Sequence, residues 1–146
     1  MKLHHGPSLP SRRAASIASV TSGACLAFMC LAVQAADTSP PQQLERWSAQ
    51  AGTPGQAERG RVFFTSRHGG EWSCSSCHGA PPIAPGKHAS TGKAIDPMAP
   101  AANPKVFTDT ARIDKWFRRN CNDVVKRECS ASEKADVLAY LISVKP

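Results

Sequence analysis

Three absences narrow this chain first. It holds no internal repeat, no low-complexity tract beyond its first 35 residues, and no alternating apolar run long enough to build a sheet. It has no second close cysteine pair, which a structural zinc site needs: Cys121 and Cys129 are spaced too widely to complete one with Cys74 and Cys77. No βαβ pattern precedes Cys74, so the usual setting of a C-x-x-C redox pair is missing as well. Nor does any group of carboxylates, histidines and nucleophiles stand where acid–base catalysis could be argued from it.

What is present is Cys74-Ser75-Ser76-Cys77-His78. The run C-x-x-C-H is the attachment site of c-type haem. Two thiols at this spacing add to the two vinyl groups of one porphyrin, and the adjacent histidine lies close enough to ligate the iron from one side. The motif occurs once, so one haem is expected and a multihaem protein is excluded.

The N-terminus reads as a secretory signal over residues 1–35. Lys2, Arg12 and Arg13 form its positive end, Ala14 to Val33 is apolar and nearly free of charge, and Val33-Gln34-Ala35 offers a cleavage site after Ala35 or Ala36. A retained anchor is the rival, since the apolar stretch approaches ~20 residues. Ser16, Ser19, Thr21, Ser22 and Gly23 weaken it as a span. Export to the periplasm agrees with the haem motif, because bacterial cytochromes c mature outside the cytoplasmic membrane. Cleavage leaves a single domain, 36–146, of about 111 residues. Cys25 and Cys30 depart with the signal, and Cys121 and Cys129 remain as a pair in an oxidising compartment, where a disulfide is the default. From Ala36 onward 15 Lys and Arg face 11 Asp and Glu, a net +4. That is too small to indicate nucleic acid, and it suits a surface that meets an acidic redox partner.

Order along the domain is helical. Gln42 to Ala51 and Gln56 to Ser66 read as helices, the second with Gly60 at its middle. Glycine there costs about 1 kcal/mol relative to alanine, which points to close packing against another element. Gly79 to Lys105 is loop, with six prolines from Pro81 to Pro104. So long a loop in a small domain is expected to wrap something. Thr108-Asp109 can cap a helix on which Ile113, Trp116, Phe117, Asn120 and Val124 share one core-facing stripe. Ser130-Ala-Ser-Glu133 fits a capping box opening a last helix, Ala131 to Ser143. The expected fold is all-α around one haem.

Ala57-Glu-Arg-Gly-Arg-Val-Phe63, the C-S-S-C-H run and Glu133-Lys-Ala-Asp-Val-Leu-Ala-Tyr140-Leu together resemble class I cytochrome c. That resemblance implies crossing first and last helices, with Gly60 facing Tyr140. Such proteins usually carry a methionine ligand before the last helix, whereas Val124 to Ser130 holds none and contains Cys129. A closer resemblance, to the sphaeroides haem protein family of high-spin, oxygen-binding cytochromes c, runs through T-G-K-A-I-D-P-M-A-P (91–100), K-V-F-T-D (105–109), K-W-F-R-R-N-C-N (115–122) and R-E-C-S-A-S-E-K-A-D (127–136). It implies that Asn120 is the sixth iron ligand in the ferric protein and leaves on reduction. It also implies a Cys121–Cys129 disulfide. A dihaem cytochrome c and a membrane cytochrome b are the redox partners it suggests by analogy.

The residues alone leave the sixth ligand open. Asn120 is an amide on an apolar stripe and must find a partner, either iron or backbone, or cost about 1–3 kcal/mol. A neutral oxygen donor suits ferric iron and holds ferrous iron poorly. Met98, in Asp-Pro-Met-Ala-Pro, is the alternative ligand, although it precedes the Trp116 helix and also reads as pocket packing. His68 and His88 read as solvent-facing. A disulfide between residues eight apart cannot form along an unbroken helix, where they stand ~12 Å apart. A bridge therefore requires the helix to break between Asn122 and Glu128. The expected function is a periplasmic cytochrome that releases Asn120 on reduction and binds O2, NO, CO or a similar diatomic. The alternative is an electron carrier whose haem stays six-coordinate, and a weaker third reading is turnover of O2 or NO on the haem itself.

Overall fold

The computed structural model describes residues 36–146. The signal expected over 1–35 therefore lies outside the described residues. The described residues form five helices: α1 (Pro40–Ala51), α2 (Ala57–Thr65), α3 (Cys74–His78), α4 (Thr110–Val125) and α5 (Ala131–Ser143). No helix among the described residues is long and apolar enough to cross a membrane.

Helix α5 is the hub. Ser130 caps it by accepting from the Glu133 amide, Glu133 returns the bond to the Ser130 amide, and the bounds coincide with those the capping box implies. Leu138 and Leu141 are wholly buried, and α1 and α2 both pack along this helix. Helix α1 starts at Pro40, two residues earlier than the sequence suggests, because proline suits the first helical positions.

The crossing of α2 and α5 depends on Gly60. A methyl group there would lie 1.8 Å from the Asp136 carbonyl oxygen and 3.0 Å from the Tyr140 Cβ. Asp136 then locks the pair from the other side. It is 6% exposed, takes both an Nε and an Nη2 bond from Arg59 at 2.8 Å, and accepts the Gln56 amide at 2.7 Å. Gly60→Ala is expected to destabilise the protein by about 1–3 kcal/mol or more, because a backbone carbonyl cannot yield cheaply. The gain in helix propensity, about 1 kcal/mol, does not offset it. A chemical denaturation midpoint equal to the parent's would refute this account of the crossing.

The long loop is not featureless. Gly86–Lys87 pairs antiparallel with Ala94–Ile95, giving β1 and β2, two strands too short to leave a periodic signature. Pro82 binds the loop inward by accepting the amides of Met98 (3.1 Å) and Ala99 (3.0 Å), and Ala99 is fully buried.

Helix α4 differs from the rest. Asp109 caps it through the Arg112 amide. It makes only sparse packing with other elements. Side chains from α1 tether it: Arg46 to Asp114, Gln43 to Thr110 at 3.1 Å, and Trp47 edge-on to Phe117 with ring centroids 6.0 Å apart. The stripe expected to face the core divides accordingly. Ile113 is buried and Phe117, Asn120 and Val124 are half-buried, but Trp116 is 41% exposed.

Candidate cofactor site

Helix α3 is one turn built to display the motif. Ser73 caps it, accepting from the Ser76 amide at 3.2 Å, while its own amide donates to the Ser76 Oγ at 3.0 Å. That turn sets Cys74 and Cys77 three apart, on the same helical face. Both thiols are unpaired and half-buried. Burial pushes the Cys74 thiol up to about 11, so it remains protonated at neutral pH.

His78 ends the turn. Burial lowers its pKa below the usual imidazole value, leaving the ring in the neutral form that ligates metals. Its Nδ1 is buried and has no hydrogen-bond partner among the described residues. The β1–β2 hairpin closes over this segment. Ala89 donates its amide to the Cys77 Sγ at 3.4 Å, and a Cβ on Gly86 would lie 2.0 Å from the Cys77 carbonyl oxygen, so only glycine fits there.

Asn120 is half-buried on α4 and its side chain has no hydrogen bond among the described residues. Met98 is half-buried and packed against the hydrophobic core. His68 and His88 are not solvent-facing, as the sequence suggested; both are half-buried and tied down locally. His68 Nε2 meets the Phe63 carbonyl oxygen at 2.8 Å, with its ring 4.3 Å from that of Phe63. His88 Nδ1 accepts the Thr91 amide at 3.3 Å.

Cys121 and Cys129 are bonded, with Cα atoms 5.6 Å apart and both side chains buried. The geometry is met because α4 stops at Val125 and Lys126 turns left-handed at φ 62°. Polar links hold the returning segment: Arg127 grips Glu133 through both Nη atoms at 2.7 and 2.6 Å, and Lys134 reaches Glu128 at 3.0 Å. Sequence reasoning did not foresee the pairing of exposed Arg59 with the buried Asp136 carboxylate, or the hairpin over Cys77. A carboxylate on a helix and a two-residue strand carry no pattern of their own. Two surface grooves, one beside Val62 and one beside Tyr140, include none of Cys74, Cys77, His78 or Asn120. Chemistry, not concavity, marks the site.

A protein-family model described as a domain of unknown function (DUF1924) matches residues 50–141. The cytochrome c-type protein SHP of Cereibacter sphaeroides is 50% identical over 111 residues, covering 73% of this chain and 85% of that protein. The chain belongs to the SHP family of c-type cytochromes. A solved structure of oxidized SHP, an oxygen-binding cytochrome c, superposes with a TM-score of 0.68 at 50% identity, over 72% of this chain and 96% of that one. Oxidized cytochrome c'' of Methylophilus methylotrophus follows with a TM-score of 0.63 at 33% identity, over 73% of this chain and 95% of that one. The fold is thus the all-α cytochrome c fold, and the cofactor is covalently attached haem c. The residues of this cytochrome fit that group. Two unpaired cysteines share a helical face, a neutral imidazole carries an orphaned nitrogen, and an unpartnered amide stands on the sparsely packed α4.

Proposed function

We propose that this cytochrome is exported to the periplasm with cleavage near Ala35, and that it binds a diatomic gas when reduced. In this reading Cys74 and Cys77 carry the haem by thioether bonds, His78 is the proximal ligand and Asn120 the sixth ligand of the ferric state. The haem supplies an iron that exchanges one electron and offers an axial position to O2, NO or CO. Asn120 governs access to that position. Its amide oxygen is a hard, neutral donor that suits ferric iron and lets ferrous iron go. The carrying observation is the Asn120 side chain without a hydrogen bond, on a helix held by tethers rather than by close packing. Two relatives lend support: SHP is an oxygen-binding cytochrome c, and a solution structure of cytochrome c'' bears on haem-ligand detachment. Electrons are exchanged with a redox protein, by analogy a dihaem cytochrome c or a membrane cytochrome b.

The test is the ferrous spectrum of the holoprotein with and without CO. A high-spin spectrum that CO converts to low-spin is expected. A low-spin ferrous spectrum indifferent to CO would establish the alternative, an electron carrier with Asn120 or the core-packed Met98 permanently bound. A second expectation concerns sulfur. Mature holoprotein contains no free thiol, because two cysteines hold haem and Cys121 is joined to Cys129. Alkylation without prior reduction should add no mass; two additions would mean that the pair is open.

A further inference from the structure

Helix α4 carries the proposed sixth ligand, and the chain anchors that helix along one stripe. Thr110, Asp114, Phe117 and Cys121 stand at i, i+4, i+7 and i+11, on a single face. Each meets a definite partner. The buried Gln43 donates to the Thr110 Oγ1 at 3.1 Å. Arg46 grips Asp114 through both Nη atoms, Nη1 at 3.1 Å, and turns its Nε to the Gln43 Oε1 at 2.9 Å. Trp47 meets Phe117 edge-on, and Cys121 is bonded to Cys129.

The partners are held in turn. Trp47 is buried, with the Arg46 guanidinium 4.3 Å and the Lys134 ammonium 4.2 Å from its ring centre. Lys134 lies on α5 and also binds Glu128, the neighbour of Cys129. Helices α1 and α5 thus share the hold on α4. Such contacts stabilise the fold in any case, and the helix geometry adds a second consequence. Asn120 stands about a quarter-turn from the anchored stripe, and a helix fixed along one stripe cannot roll. A roll of ~20° would carry an amide ~5–6 Å from the axis through about 2 Å. A binding constellation tolerates only about 0.5 Å.

We propose that Arg46, Trp47 and Asp114 are positioning residues: they fix the roll of α4 and so set how tightly Asn120 holds ferric iron. The inference rests on the assignment of Asn120 as the sixth ligand.

Cyanide binding to the ferric holoprotein, in competition with Asn120, reads that grip. Asp114→Asn is expected to raise cyanide affinity about three- to fivefold, the most that a half-exposed ion pair can transmit. Weaker ferric ligation also raises the reduction potential, by about 30–40 mV at about 59 mV per tenfold for one electron. Asp114→Glu keeps the carboxylate and should stay near the parent. Trp47→Phe shortens the contact with Phe117, and adding it to Asp114→Asn should raise the affinity further. Arg59→Gln, which breaks an α2–α5 pair instead, should lower thermal stability and leave cyanide affinity unchanged. In an Asn120→Ala background, Asp114→Asn should have no further effect. Unchanged affinity in Asp114→Asn, where Asn120→Ala raises it, would overturn the positioning role and leave the ligand assignment standing. An equal rise in Arg59→Gln would overturn the role as well, marking general loosening. So would an effect that persists without Asn120, marking a direct influence of charge on the iron. If Asn120→Ala itself leaves cyanide affinity and the ferric spectrum unchanged, the ligand assignment falls and the positioning role falls with it.

Discussion

Replacing His78 with methionine should move the reduction potential further than any other single change in this protein. Axial ligands span a range of about 0.8 V in haem proteins, and exchanging an imidazole for a thioether raises the potential. The haem remains attached, because Cys74 and Cys77 keep their places on α3 and the Ser73 cap that forms the turn does not involve the His78 side chain. The ring is also half-buried, with a buried and unpartnered Nδ1, so its removal breaks no hydrogen bond among the described residues. Any large spectral change is therefore a ligand effect rather than the collapse of a network. A potentiometric titration and absorption spectrum of the covalently loaded variant check this. A potential within a few millivolts of the parent's would remove His78 from the proximal position.

The contrast between α5 and α4 explains how far the sequence could be read. Helix α5 announces itself through a capping box and a stripe of leucines that are buried entirely against protein. Local propensity, capping and burial agree there, so its bounds could be read directly. Helix α4 has an equally clear period, yet period alone does not state what the apolar face meets. Trp116 looked like a core residue and is 41% exposed, on a helix tethered to α1 rather than packed along α5. The haem motif was legible for a different reason. Attachment chemistry fixes both the residue types and their spacing, whereas the hairpin over Cys77 depends on Gly86 clearing a carbonyl oxygen, a contact no local pattern encodes. The histidines repeat the lesson. His68 and His88 are polar residues in loops, and local bonds to the Phe63 carbonyl and from the Thr91 amide hold them half-buried, which residue type alone does not announce.

Asn120, the proposed sixth ligand, yields the second large effect. In the ferric holoprotein, Asn120→Ala should convert the absorption spectrum to that of a five-coordinate or water-bound iron, because the amide oxygen is lost and no neighbouring side chain on α4 can replace it. Phe117 and Val124 carry no donor, and Cys121 is committed to its bridge with Cys129. The ferrous spectrum should change little, since in the proposed reading Asn120 leaves the iron on reduction. CO association should be no slower than in the parent, as a departing ligand no longer competes. Thermal stability separates this from a structural role. An asparagine serving only as an interior hydrogen-bonding group would lower stability by about 1–3 kcal/mol on substitution and leave ferric coordination untouched. The structure gives that role no bond to lose, so a stability change below about 1 kcal/mol is expected alongside the ferric change. A ferric spectrum identical to the parent's would sink the assignment and make Met98, packed against the core beside Ala99, the ligand to test next.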